Sequence, residues 1–114
     1  MEVGHLFGSA AIGEKHERKA LMRVAMGIDS KTGLLFAPEI AAPGEKTADL
    51  LNRLVLIAIH QRGSIPDRVV SRKPDDAALL QPLARTLGFE ANLVRATPHL
   101  DEAFQAMMQF LGTR

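Results

Sequence analysis

The sequence predicts an α/β fold: a mixed sheet that opens with an antiparallel hairpin, continues as β-α-β-α units, has strand order 3-2-1-4-5 and carries three main helices. Three observations predict it. Residues 66–111 alternate short β-rich and longer apolar-periodic stretches: Arg68-Val69-Val70-Ser71-Arg72, Asp75 to Leu87, Glu90 to Arg95, then Pro98 to Leu111. Gly88 follows Leu87 where a helix end takes positive φ, and Pro66 closes off the preceding helix. Upstream, Asp29-Ser30-Lys31-Thr32-Gly33 has hairpin chemistry, an Asp to bond its own backbone and a Gly for positive φ.

Taken in order, Val3 to Ile12 reads either as a strand or as part of a flexible arm over residues 1–19, because three glycines by Gly13 weaken strand pairing. Gly13 to Lys19 is a solvated turn. Ala20 to Ile28 is apolar at nearly every position, the pattern of a strand buried on both faces. Leu34 to Ala41 returns, and Pro38, with no N–H to donate, places it at a sheet edge.

The helix from Glu45 to Arg62 carries Glu45 and Asp49 at its positive end and stops at Gly63. Leu50, Leu51, Leu54, Val55, Ile57 and Ala58 make a broad apolar face, and Leu56 and Ile59 widen it beyond the stripe a sheet can cover. Leu56 and Ile59 are therefore interface candidates, the alternative being that residues 1–19 fold over them. Pro82 predicts a kink or break in the helix from Asp75 to Leu87. In the last helix Leu100, Ala103, Phe104, Met107, Met108 and Leu111 form one stripe, with Thr97 as N-cap and Pro98 in the first turn.

Direction then fixes the topology. Three antiparallel strands run up, down and up, a helix returns the chain, and two strands joined through a helix lie parallel to the first. Pro38 falls on an edge strand in that order.

Composition fits one domain over residues 1–114, with 46% apolar residues for a core, though the chain also reads as one unit of a longer protein. Zero cysteines removes disulfides, thiolate zinc sites and cysteine nucleophiles, and fits a cytoplasmic location. A net charge of +1 exerts no global pull on nucleic acid. No apolar run approaches about 18 residues, so no membrane span is expected. With no Trp or Tyr and five Phe, there are few platforms for stacking bases or sugars.

The strand ending in GIDSKTGLLF, the run GSIPDRVVSRKPDDAALLQPLARTLGFEANLV and the closing TPHLDEAFQAMMQFL resemble a bacterial domain family of unknown function. The resemblance covers residues 20–111. It implies a non-catalytic α/β fold of ribonuclease H-like type and no established activity.

The residues themselves offer weak chemistry. Asp29, Asp75, Asp76 and Asp101 are the candidate metal or acid groups. A two-cation nuclease needs carboxylates from different strands, one on the first strand, and Val3 to Ile12 has none. Asp29 falls at the opposite end of the sheet from the other three. Asp75, Asp76, Asp101 and Glu102 stand at helix starts, where carboxylates favour the dipole. His5, His16, His60 and His99 make no pair at helical spacing, so no metal or other cofactor is expected. Ser9, Ser30, Ser64 and Ser71 lack a nucleophile-elbow setting, and no glycine-rich phosphate loop occurs.

Arg62, Arg68, Arg72 and Lys73 surround one strand and are the candidate phosphate contacts, but nothing aromatic interleaves them, which disfavours nucleic acid. The reading that results is a non-catalytic binding or interaction module whose partner is another protein or a second copy. The rival is a degenerate or minimal metal-dependent nuclease of ribonuclease H-like fold, or a nucleic-acid-binding domain.

Overall fold

The structure is a computed structural model and describes residues 1–10 and 20–112. In chain order the elements are β1 (Glu2–Ala10), β2 (Ala20–Ile28), β3 (Leu35–Ile40), α1 (Thr47–Arg62), β4 (Arg68–Ser71), α2 (Pro74–Leu87), β5 (Glu90–Leu93) and α3 (Pro98–Gly112). The strands form one mixed sheet in the order β3-β2-β1-β4-β5. β1 pairs antiparallel with β2, β2 antiparallel with β3, and β4 parallel with both β1 and β5.

Strand alternation divides the core. Val3 and Ala25 point to one face, where they meet α1 and α2 through Leu50, Leu51, Leu54, Val55, Leu80 and Ala84. Leu6, Val24, Met26 and Ile28 point to the other face and meet Leu100 and Phe104 of α3. The α1 positions with no exposed surface, Leu50, Leu51, Leu54, Val55 and Ala58, repeat at helical spacing and define its inner stripe.

The hairpin turn is built as its residues dictate. Asp29 Oδ1 accepts the Lys31 N–H at 3.0 Å, Gly33 takes φ +73°, and its N–H donates to the Asp29 carbonyl at 2.7 Å. Pro38 lies on edge strand β3, within a bulge: Ala25 faces Glu39 while Gly27 faces Phe36, so β3 holds an extra residue there. A bulge is where a residue without an N–H does least harm.

Four expectations need correction. The first segment is a strand, and it starts at Glu2, so it brings a carboxylate that Val3 to Ile12 lacks; residues 11 and 12 of that segment lie outside the described residues. α1 starts at Thr47, because Glu45 is used before it: its Oε1 accepts the Ala42 N–H at 2.9 Å and its Oε2 pairs with Arg53 at 2.9 Å. Of the kink or break expected at Pro82, the break does not occur: α2 runs through it as one helix. Ala78, whose carbonyl loses its partner there, is exposed, so water can satisfy it. Thr97 does not cap α3 with its hydroxyl, which instead donates to Asp101 Oδ1 at 3.1 Å. In the α3 stripe Leu100 and Phe104 are buried, Met107 is half-buried and Met108 is exposed; the Leu111 side chain lies outside the described residues.

Candidate functional site

β1 outruns its parallel neighbour. Glu2 stands beside Val70, so His5 and Leu6 project past Ser71, the last residue of β4. A cleft of about 40 Å³ opens at that step, between the starts of α2 and α3. Its floor is apolar, from Val3, Leu6, Leu100 and Phe104, and its polar groups are His5, Ser71, Arg72, Lys73, Asp76, Thr97 and Asp101. The step lies where β4 ends and the chain turns into α2, while β1 runs on beyond it paired with β2 alone. Open α/β sheets offer ligand crevices at such switch points, beyond the carboxyl ends of the strands.

Asp76 has no exposed surface. Its Oδ1 stands 2.7 Å from His5 Nδ1, and its Oδ2 accepts the His5 backbone N–H at 3.3 Å. Lys73 Nζ donates to the His5 carbonyl. The start of α2 thereby grips β1 at one residue from three directions. Asp101 accepts the Thr97 hydroxyl and approaches Arg72 Nη1 at 3.4 Å. Asp75 and Glu102 are exposed. Asp76 does more than face a helix dipole, since it is tied to a strand.

Glu2 fills the start of α3. It is buried, its Oε1 accepts the Leu100 N–H at 3.1 Å, and its Oε2 lies 2.7 Å from His99 Nδ1. Ser71 is 1% exposed, and its Oγ has no hydrogen-bond partner among the described residues. Ser71, His5 and Asp76 share the cleft, and among the described residues the Ser71 hydroxyl makes no hydrogen bond to either of the other two.

The basic residues around β4 divide between its ends. Arg72 and Lys73 join the cleft, whereas Arg68 lies about 13 Å back along the strand and, with Arg62 at the end of α1, lines a cavity of about 160 Å³ beside Asp29. Arg62 Nε stands 3.4 Å from Asp29 Oδ2. The Lys31 N–H first, then the Arg62 guanidinium, hold the Asp29 carboxyl below its ordinary 3.8, against burial, which raises it. Among the described residues no three His, Asp or Glu side chains cluster closely enough to hold a metal ion. None of their helices is long and apolar enough to cross a membrane. Leu56 is 48% exposed on α1, while Ile59 is half-buried against the core.

Sequence reasoning missed the engagement of Glu2, His5 and Ser71. The available signal was β1 itself: once it is a strand, Glu2 and Gly4 share one face and Val3 and His5 the other, beside both helix starts.

No curated protein and no solved structure matches the chain. One family model does, described as "Domain of unknown function (DUF6930)", over residues 1–108. That span takes in every strand, α1, α2 and most of α3, and the chain belongs to this family of domains of unknown function.

Proposed function

We propose that this domain is a non-catalytic interaction module of ribonuclease H-like topology that associates through its apolar surface with a second copy of itself. The strand order and the two-sided helix cover support the topological reading. The observation that carries the interaction is the outer edge of the sheet, where Leu34, Leu35 and Ile40 are 49%, 46% and 55% exposed. Leu35 pairs with Ile28 and Ile40 with Val24, so both point to the face that α3 covers over β1 and β2. Apolar side chains gathered at one edge mark a docking surface. Pro38 and its bulge interrupt the hydrogen-bonding edge, so contact there is through side chains and not by strand addition. Leu56 on α1 offers a second, separate contact.

Light scattering over a range of concentrations tests this. Mass that rises with concentration and falls in Ile40→Glu assigns the edge; a fall in Leu56→Glu assigns α1. A strict monomer throughout removes self-association.

Two observations favour the nuclease reading: Asp76 and Asp101 line the same cleft, and β1 carries a carboxylate, Glu2, although that one is taken up by Leu100 and His99. Against it, Asp76 is engaged by His5 and Asp101 by Thr97. We expect no cleavage of single-stranded, double-stranded or hybrid substrates with magnesium or manganese. Cleavage that disappears in Asp76→Asn would replace the interaction module with an enzyme.

A further inference from the structure

We propose that the start of α2 and the Ser71 hydroxyl together bind a phosphoryl-type oxyanion, either free phosphate or the phosphate end of a small monoester. The inference stands apart from self-association and uses a different surface.

Two helices begin at this end of the sheet, and they are filled differently. The α3 start holds the Glu2 carboxylate. At α2 the N-cap residue is Lys73, with no side-chain capping bond among the described residues, Pro74 has no N–H, and the Ala77 N–H donates to the Lys73 carbonyl. The N–H groups of Asp75 and Asp76 precede that bond, at the positive end of a helix of 14 residues. An anion is what such an end accepts.

Ser71 points to a ligand independently. A hydroxyl 99% buried with no partner among the described residues is open to an acceptor, and this one lines the same cleft. The cations beside it have capacity left. Lys73 has three donors, and the His5 carbonyl takes one. Arg72 holds Asp101 only at 3.4 Å. The two carboxylates of the cleft are met from within the chain, Asp76 by His5 and Asp101 by Thr97.

Size limits the ligand. A water needs about 10–15 Å³ of such space, so a cleft of about 40 Å³ has room for a tetrahedral oxyanion and not for a nucleotide. The apolar floor at Leu6 and Phe104 suits the carbon of a monoester.

The test titrates the full chain with inorganic phosphate and with methyl phosphate at constant ionic strength, read by amide resonances. Saturable shifts are expected at Ser71, Asp75 and Asp76. Ser71→Ala should weaken binding about tenfold, the contribution of one hydrogen bond to a charged group. It should fold at least as well as the parent, because the buried hydroxyl has no partner to lose. Lys73→Gln gives a second reading of the same loss, and Arg68→Ala, at the far end of β4, should bind as the parent does. Tighter binding of methyl phosphate assigns the site to a phosphorylated ligand, and equal binding to free phosphate. The proposal is overturned by the absence of saturable shifts, by shifts confined to the Arg62 and Arg68 end, or by parental affinity in both cleft variants.

Discussion

Glu2 and Leu100 stand 98 positions apart in sequence, yet the carboxylate of one accepts the backbone N–H of the other at 3.1 Å. The first residue of β1 thus caps the last helix. A helix leaves its first N–H groups without internal partners. Where Thr97 would ordinarily serve, a buried carboxylate from the central strand does, and it locks α3 to the sheet at the rim of the cleft.

Glu2→Ala should therefore cost about 1–3 kcal/mol, the range for losing a helix cap and leaving a buried donor unsatisfied. Glu2→Gln keeps an acceptor for Leu100 and should cost less. The His99 side of the contact is half-exposed and adds little. Urea denaturation of the two variants separates these cases; equal losses would show that the Leu100 hydrogen bond does not carry the effect.

The contact of His5 with Asp76 calls for a double-mutant cycle. Asp76 is wholly enclosed, so removing either partner strands the other in a poorly solvated place. Asp76→Asn and His5→Ala should each destabilise, with a coupling between them of about 0.5–3 kcal/mol, as for residues in direct contact. Additive losses would show that the two residues contribute independently.

Much of the architecture was legible because local signals agreed with the global fold. Asp29 and Gly33 specify their turn, Gly63 and Gly88 end their helices in the left-handed region, and β4, α2 and β5 follow from period and punctuation. The site was less legible, because its contacts are between residues distant in sequence. Glu2 to Leu100 and His5 to Asp76 connect β1 to helices near the other end of the chain, and no local spacing encodes them. The acidic pair Asp75 and Asp76 shows the limit. As neighbours at a helix start they read alike, but one lies in solvent and the other has no exposed surface. Likewise Arg68 and Arg72 cluster in sequence but belong to opposite ends of β4, because a strand is extended.

Asp29 makes a prediction in pH. Its carboxyl is held below its ordinary 3.8, so the charged form is favoured in the folded chain. A lowered acid contributes stability that is fully present above its unfolded pKa and is lost as pH falls through the folded one. The advantage of the parent over Asp29→Asn should be constant near neutrality and shrink as pH drops below about 4. Denaturation midpoints measured in acid would show it; a gap unchanged through that range would remove Asp29 as a source of acid sensitivity.

Phe104 and Gly4 make the last prediction, since they meet at the same point under α3. Phe104 is 9% exposed in the core on that face, and truncation to Ala should cost about 3–5 kcal/mol. A Cβ on Gly4 would stand 3.1 Å from Leu100 Cδ2 and 4.0 Å from Phe104 Cε2. In the parent, Gly4→Ala should lose about 1 kcal/mol, because Leu100 is packed against Phe104 and gives way poorly. With Phe104 already cut to Ala, Leu100 has room to move, and removing a glycine from a strand is then worth about 0.5–1 kcal/mol in chain entropy. The same substitution should change sign between the two backgrounds. Thermal or urea unfolding of the four proteins measures it; a loss of equal size in both would show that Phe104 does not set the space available to Leu100.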